Sequence, residues 1–264
     1  MGSATREALA SSKKALSELG TTDLTTVSEI FAAGRVVGDS GQLRSLLADP
    51  SAESQVKESV IDRVFGPRLG AQAVSLLRDL VGARWSNSDD LLGGIEELGL
   101  RAAALSAGPD ARIEAQLFSF GQVVSSDAEL ELALGSKLGA QNSKAALVES
   151  LLAGKGSTEI VEIVKHLVLQ PRGRRIGELL RHAASVVADQ NGFIVATVTG
   201  ASALGTAQLE RLEKGLAAQY GRAVRLNQVV DPAVIGGLRV QVGDDVIDGS
   251  IASRLGELRL QLAG

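Results

Sequence analysis

Apolar residues recur three and four apart over most of this chain, and the spacing shortens to alternation only near the end. The first pattern belongs to helices with one buried face, the second to strands. A first helix is predicted from about Ala4 to Leu19, with Gly20 as its stop. A second follows Thr22-Asp23 and carries Leu24, Val27, Ile30 and Phe31 on one face. Gly41 to Ala48 is a short third, ended by Asp49-Pro50. Val56, Val60 and Val64 mark a fourth, closed by Gly66-Pro67, and Leu69, Ala73, Leu76, Leu77 and Leu80 define a fifth. The sixth is read as starting at an N-cap Ser88, with Asp89 and Asp90 favoured at the positive helix end. It carries Leu91, Leu92, Ile95, Leu98 and Leu105 and stops before Gly108-Pro109.

The pattern then recurs. Phe31, Gly34, Val36, Val37, Leu43 and Leu47 return as Phe118, Gly121, Val123, Val124, Leu130 and Leu134, an offset of 118 − 31 = 87. At the same offset Lys57 meets Lys144, Val60-Ile61 meets Leu147-Val148, Val74 meets Val161, and Leu80-Val81 meets Leu167-Val168. Hydrophobic helices match one another easily, but one register held through two loops points to duplication. The sixth helix would then precede the second copy as the first precedes the first, and is expected to pack into both.

The second set ends in a long helix, predicted from about Arg174 to Gln190 after Pro171-Arg172-Gly173 and broken by Asn191-Gly192. Phe193 to Thr199 is β-branched and reads as a strand. Leu209, Leu212, Leu216 and Tyr220 define a helix ending at Gly221, and Ala223 to Val229 reads as another strand. From Val230 on, Leu238, Val240 and Val242 alternate with Arg239 and Gln241; Gly243-Asp244-Asp245 supplies a turn, and Val246-Ile247 resumes the sheet. Asp248-Gly249-Ser250 ends it, with Ser250 a candidate N-cap for a helix bearing Ile251, Leu255, Leu258 and Leu262. The expected fold is mainly α: an N-terminal six-helix bundle (1–107), a second helical unit read as a duplication of it (108–190), and a small C-terminal α/β domain (191–264).

Composition narrows the chemistry. Hydrophobic content is 45% with only 3% aromatic, so cores must be built from Leu, Val, Ile and Ala. A net charge of −4 argues against a general nucleic-acid binder. With no cysteine, disulfides, thiolate metal sites and thiol nucleophiles are excluded together. The start, Met1-Gly2-Ser3-Ala4-Thr5-Arg6, lacks the apolar core of a signal peptide, and no run reaches the roughly 18 apolar residues of a membrane span, so no direct membrane insertion is expected.

Motifs that resemble catalytic sites resolve into structural ones. Gly200 to Thr206 spaces two glycines like a phosphate loop, but Thr206 stands where the lysine should be, so a plain loop with a helix cap is expected. Asp231, Asp244, Asp245 and Asp248 read as turn and cap residues rather than a cation cage. His166 and His182 have no triad partners and read as partly exposed helix residues. Among Lys165, Arg172, Arg174, Arg175 and Arg181, the arginines at 172–175 begin a helix, where positive charge is unfavourable; acidic groups elsewhere in the chain are expected to hold them. Trp85 reads as a core cap between helices.

Val230-Asp231-Pro232, Ile235-Gly236-Gly237, Gly243-Asp244 and Val246 to Ser250, followed by Leu255, resemble the delta subunit of F-type ATP synthases, the family of the mitochondrial oligomycin-sensitivity-conferring protein. Asp231, Pro232, Gly236, Gly237, Gly243, Asp248, Gly249 and Ser250 carry that resemblance as structural residues, and Arg6 to Leu105 resembles the family's helical bundle in pattern. The resemblance implies a non-catalytic peripheral-stalk subunit without cofactor or metal, on the cytoplasmic face of the cell membrane. Its partners would be N-terminal segments of the alpha subunits and the C-terminal end of the b subunit. The second helical unit departs from typical bacterial members and resembles the long actinobacterial forms. The family's alpha-binding groove lies between the first and fifth helices, which carries over to Leu9, Leu16, Leu76, Leu80 and Arg84. A helical-repeat adaptor unrelated to ATP synthesis is the alternative the helices alone permit, and a nucleotide-dependent enzyme comes third.

Overall fold

Side-chain caps set where five of the described helices begin. The computed structural model describes residues 2–136 and 140–250. Its helices are α1 (Ser3–Leu19), α2 (Leu24–Asp39), α3 (Gly41–Ala48), α4 (Ser54–Phe65), α5 (Ala71–Gly82), α6 (Ser88–Ala107), α7 (Ile113–Ser126), α8 (Ala128–Gly135), α9 (Gln141–Leu152), α10 (Thr158–Leu169), α11 (Ile176–Gln190) and α12 (Thr206–Tyr220). The strands are β1 (Phe193–Gly200), β2 (Ala223–Val230), β3 (Leu238–Val242) and β4 (Asp245–Asp248). Asp23, Ser40, Asp127 and Ser157 accept hydrogen bonds from backbone N–H groups in the first turns of α2, α3, α8 and α10. The cap of α6 is Asn87 rather than Ser88: Asn87 is extended, and its side chain takes the Asp90 N–H at 2.8 Å.

The chain divides into two compact units, Met1–Val187 and Ala188–Gly264. Helices α1 to α10 therefore lie within the first. Its centre is α6, where Leu91, Leu92, Ile95, Leu98, Leu100, Ala102, Ala103 and Ala104 are all buried. It packs against α1, α2, α3 and α5 on one side of the sequence and α10 on the other, so it touches both sets as expected. Close approach runs through its glycines: a Cβ at Gly94 would strike the Trp85 ring, and one at Gly99 the Phe31 ring. Trp85 is 2% exposed and its indole N–H donates to Leu80 O at 2.9 Å, the core cap predicted.

The 87-residue offset recurs in the bounds of three helices and in the burial of their residues. Helices α3, α4 and α5 recur as α8, α9 and α10 with identical lengths (128 − 41 = 141 − 54 = 158 − 71 = 87). Buried positions recur with them: Leu47 and Leu134, Ile61 and Val148, Phe65 and Leu152, Leu76 and Ile163, Leu80 and Leu167. Even the buried lysines pair, Lys57 with Lys144.

The second unit holds a four-stranded sheet in the order β2-β1-β3-β4. β1 and β2 are parallel, linked by α12 as crossover, while β3 and β4 add antiparallel. Ala196, Val198, Val224, Val240 and Val242 pack with Leu216 of α12 into a separate core. Gly243 (φ 58°) and Asp244 form the predicted turn between β3 and β4. On the strand pair, the Arg225 guanidinium lies 3.7 Å over the Phe193 ring. The helix expected from Ile251, with Leu255, Leu258 and Leu262, lies outside the described residues. Among those described, no helix is long and apolar enough to cross a membrane.

Candidate functional site

Three places carry the residues singled out by sequence. The first is an open cleft of about 460 Å³ between α1, α5 and the start of α4, lined by Ser11, Lys14, Ala15, Glu18, Ser54, Glu58, Asp79, Gly82 and Ala83. Three carboxylates face one ammonium, so the lining is acidic. Partial burial raises the Asp79 carboxyl above its ordinary value; Glu58 adds to this, Arg78 opposes it, and Glu18 raises it further. Arg78 reaches Glu58 at 3.5 Å and Asp62 at 3.7 Å, both partly exposed pairs. Ser54 Oγ donates to Gly82 O at 2.9 Å and ties α4 to the end of α5.

The expected contact residues sit differently. Leu16, Leu76 and Leu80 are 0–2% exposed, packed inside the bundle, so they cannot line a surface without repacking it. The four-residue spacing of Leu76 and Leu80 marks the core stripe of α5, and the surface of the cleft comes from polar and small positions beside it. Leu9 is half-buried against the core, and Arg84 is exposed just beyond α5. Sequence reasoning missed Glu18, Glu58 and Asp79, because carboxylates on exposed helix faces carry no signal of convergence until three helices are placed together.

The second place is a buried charge cluster that joins α6 to the connection between α10 and α11. Glu96 is 2% exposed; Arg174 Nη2 donates to both its oxygens, at 2.9 and 2.6 Å, and Arg172 Nη2 lies 3.2 Å away. Arg172 Nη1 also donates to Asp89 O at 3.1 Å. Burial alone would raise the Glu96 carboxyl, but the hydrogen bond from Arg174 and the charges of Arg172 and Arg174 bring it below the usual range. Arg172 takes a left-handed backbone (φ 50°), followed by Gly173 (φ 79°), a turn that aims both guanidinium groups at one carboxylate. The arginines are thus held by an acidic group elsewhere in the chain, as expected.

His166 departs from expectation. It is 1% exposed, stacked on Phe31 with centroids 4.3 Å apart and planes at 15°, and its Nε2 lies 3.9 Å from Glu96. Burial pushes it down to about 3; Glu96 opposes this, and Arg35, Arg172 and Arg174 reinforce it. It is a neutral aromatic spacer in the core, because α10 faces α2 and α6 rather than solvent. His182 is exposed.

The third place is the family-signature stretch of the sheet unit, which works through backbone. Asp231 Oδ1 accepts from Ala233 N at 2.9 Å, and Asp231 N donates to Gly200 O at 2.9 Å, so Asp231-Pro232 closes a turn against the end of β1. Gly236 (φ 64°) and Gly237 (φ 78°) bring that loop onto the end of β4; a Cβ at Gly237 would strike Gly249 O and come within 2.9 Å of Ser250 Cα. Gly249 N donates to Leu238 O at 2.9 Å. Asp248 Oδ1 accepts from Ser250 N at 3.0 Å, and the side-chain and backbone hydrogen bonds of Ser250 lower its carboxyl. Val230, Ile235, Val246 and Ile247 are left exposed around this scaffold, at 51, 70, 46 and 42%. Gly200 to Thr206 is a loop, with Gln208 Oε1 accepting the Gly205 N–H at 3.0 Å at the start of α12.

Comparison with known proteins agrees with this distribution of features. A family model described as ATP synthase delta (OSCP) subunit matches residues 100–262. The match takes in the second set of helices and the sheet unit, so the helices read by sequence as the departure lie inside it and residues 1–99 lie outside. A protein of Leifsonia xyli subsp. xyli named ATP synthase subunit delta is 57% identical over 265 residues, covering 100% of both chains. Its namesake in Streptomyces griseus subsp. griseus is 38% identical, again over 100% of both, and that of Streptomyces avermitilis 39% identical over 98% of both. With a signature built from backbone turns, a family match over more than half its length and relatives alike from end to end, this chain belongs to the ATP synthase delta (OSCP) subunit family.

Proposed function

We propose that this chain is a non-catalytic peripheral-stalk (stator) subunit of a proton-translocating F-type ATP synthase. Its helical unit captures N-terminal segments of the alpha subunits of the catalytic head, and its C-terminal unit holds the C-terminal end of the b subunit. The linkage resists the torque of the rotating central stalk and places the chain at the cytoplasmic face of the cell membrane as a peripheral member of the complex. The observation that carries this reading is the signature stretch: rigid backbone turns that display exposed apolar residues Val230, Ile235, Val246 and Ile247. Such a surface suits docking of a partner helix. The cleft between α1 and α5 gives the alpha segments a second, separate site, and Leu9 of α1 and Arg84 just beyond α5 are further contacts in this reading. In this reading the chain has three parts, 1–107, 108–190 and 191–264, the second arising by duplication; the recurrence of helix bounds at an offset of 87 supports it.

Isothermal calorimetry with a synthetic N-terminal segment of the cognate alpha subunit tests the reading. Binding is expected, and its absence at tens of micromolar would refute capture of alpha by this chain. Affinity capture from the cell of origin should recover alpha and b subunits together; a set of proteins without them would favour the helical-repeat adaptor.

A further inference from the structure

Water-facing positions differ freely across the 87-residue offset: Ser59 becomes Ala146 and Arg63 becomes Ser150, all four exposed. One corner of each set behaves otherwise. Val36, near the end of α2, is 47% exposed, and its match Val123, near the end of α7, is 54% exposed. The helix that follows repeats this: Leu46 of α3 and its match Ala133 of α8 are both apolar and exposed. Buried positions recur because each set must fill a core, but an apolar side chain left in water adds nothing to that core. Single exposed apolar residues are ordinary; their recurrence at matched corners is not explained by the fold.

The α7–α8 corner shows more apolar surface than its counterpart. Leu132 of α8 is 73% exposed, where the matching position of α3 holds Ser45. Helix α3 packs on both α2 and α6, whereas α8 packs chiefly on α7. Asp127, the residue between α7 and α8, fixes the turn by accepting from Glu129 N and Leu130 N, both at 3.0 Å.

Charge separates the two corners. Arg35, Asp39 and Arg44 beside the first become Gln122, Ser126 and Glu131 beside the second, and Ser40 and Gln42 become Asp127 and Glu129. Two cations and one carboxylate thus give way to three carboxylates. Asp127, Glu129 and Glu131 are all exposed, and no lysine or arginine occurs from Ile113 to Ser136. The dipole of α8 favours these carboxylates at its start, and they leave the apolar corner with a negative rim.

We propose that the α7–α8 corner docks a basic amphipathic helix of a neighbouring subunit. Its apolar stripe lies on Val123, Leu132 and Ala133, and its lysines or arginines face Glu129 and Glu131. The α2–α3 corner, apolar at the matched positions but flanked by Arg35 and Arg44, repels that helix by like charge. The inference rests on the reading that this chain is assembled into an ATP synthase, and it concerns neither the cleft between α1 and α5 nor the sheet unit.

The chain has no cysteine, so Leu132→Cys and Leu46→Cys each accept a single photoactivated crosslinker. Each labelled chain is returned to ATP synthase depleted of this subunit, illuminated, and its adducts sequenced by mass spectrometry. Leu132→Cys is expected to mark a segment of another subunit with apolar residues three and four apart, flanked by lysine or arginine. Leu46→Cys is expected to miss that segment. Adding Gln122→Arg and Glu131→Arg, which copies the rim of the α2–α3 corner, should lower the Leu132→Cys adduct about ten-fold. Gln122→Arg alone, on the other helix, repeats the test should the pair fold poorly. An adduct on an acidic or uncharged segment, on lipid or on a second copy of this chain would overturn the inference. So would no adduct, or one unmoved by the added arginines. Failure of the unaltered chain to join the depleted complex would instead overturn the stator reading, and this inference with it.

Discussion

Glu96→Gln asks whether the buried charge cluster holds the two sets of helices together. The substitution keeps the shape of the side chain and removes one charge facing two guanidinium groups at 2.6 and 3.2 Å. At an effective dielectric near 20, two pairs this close attract by about 5–6 kcal/mol each. Against this stands a desolvation cost of several kcal/mol for the carboxylate. Breaking a buried pair by removing one partner typically costs about 3–5 kcal/mol. Here the Arg172 and Arg174 side chains are 20% and 29% exposed, so both can recover some hydration. The expected loss is at the lower end, about 3 kcal/mol, or a melting temperature about 6–12 °C lower for a unit of this size. Urea unfolding followed by circular dichroism at neutral pH measures it, and trypsin should cut sooner in the connection at 170–175. A loss below about 1 kcal/mol would refute the reasoning and leave the cluster a well-hydrated pair of limited consequence.

Other perturbations follow from the same geometry. His166→Phe should preserve stability at pH 7, since both ring nitrogens lack partners and the ring already stacks on Phe31. A folded-state value depressed from 6.5 to about 3 gives stability that is full above the unfolded value and lost as pH falls through that window, at up to about 1.4 kcal/mol per unit. His166→Phe should flatten that slope in urea titrations between pH 7 and 5, and an unchanged slope would place the titration elsewhere. Gly99→Ala gains about 1 kcal/mol of helix propensity but puts a methyl 2.6 Å from Phe31 Cδ1, so a net loss of about 1–2 kcal/mol is expected in the same assay. Gly237→Ala meets a left-handed backbone and the Gly249 carbonyl, and should destabilise the sheet unit by at least about 2 kcal/mol, seen by calorimetry as a lowered transition with that of the helical unit unmoved.

Much of this architecture was legible before any coordinates, and the reason is local. Helix bounds follow Asp23, Ser40, Gly20 and Gly221, whose capping and backbone preferences act within a few residues. The strands of the sheet unit follow from alternation at Leu238, Val240 and Val242, and its turns from Asp231, Gly237 and Gly243. The offset of 87 was readable because buried positions must stay apolar for each set of helices to fill its core. Even the need of Arg172 and Arg174 for an acidic partner was readable from their place at a helix start.

Which partner they found was decided only by tertiary structure, since Glu96 lies far away in sequence and meets them only because α6 is shared by both sets. The same holds for His166, whose polar ring predicts exposure until α2 covers it. It holds for Leu16, Leu76 and Leu80, whose periodicity identifies a buried stripe without saying whether a groove opens beside it. Short-range rules fix what each segment becomes, because their energies depend on neighbours along the chain. Which faces remain open depends on packing between segments remote in sequence. In this chain that packing buries α2 against α6 and α10 and leaves the cleft lined by Glu18, Glu58 and Asp79 accessible.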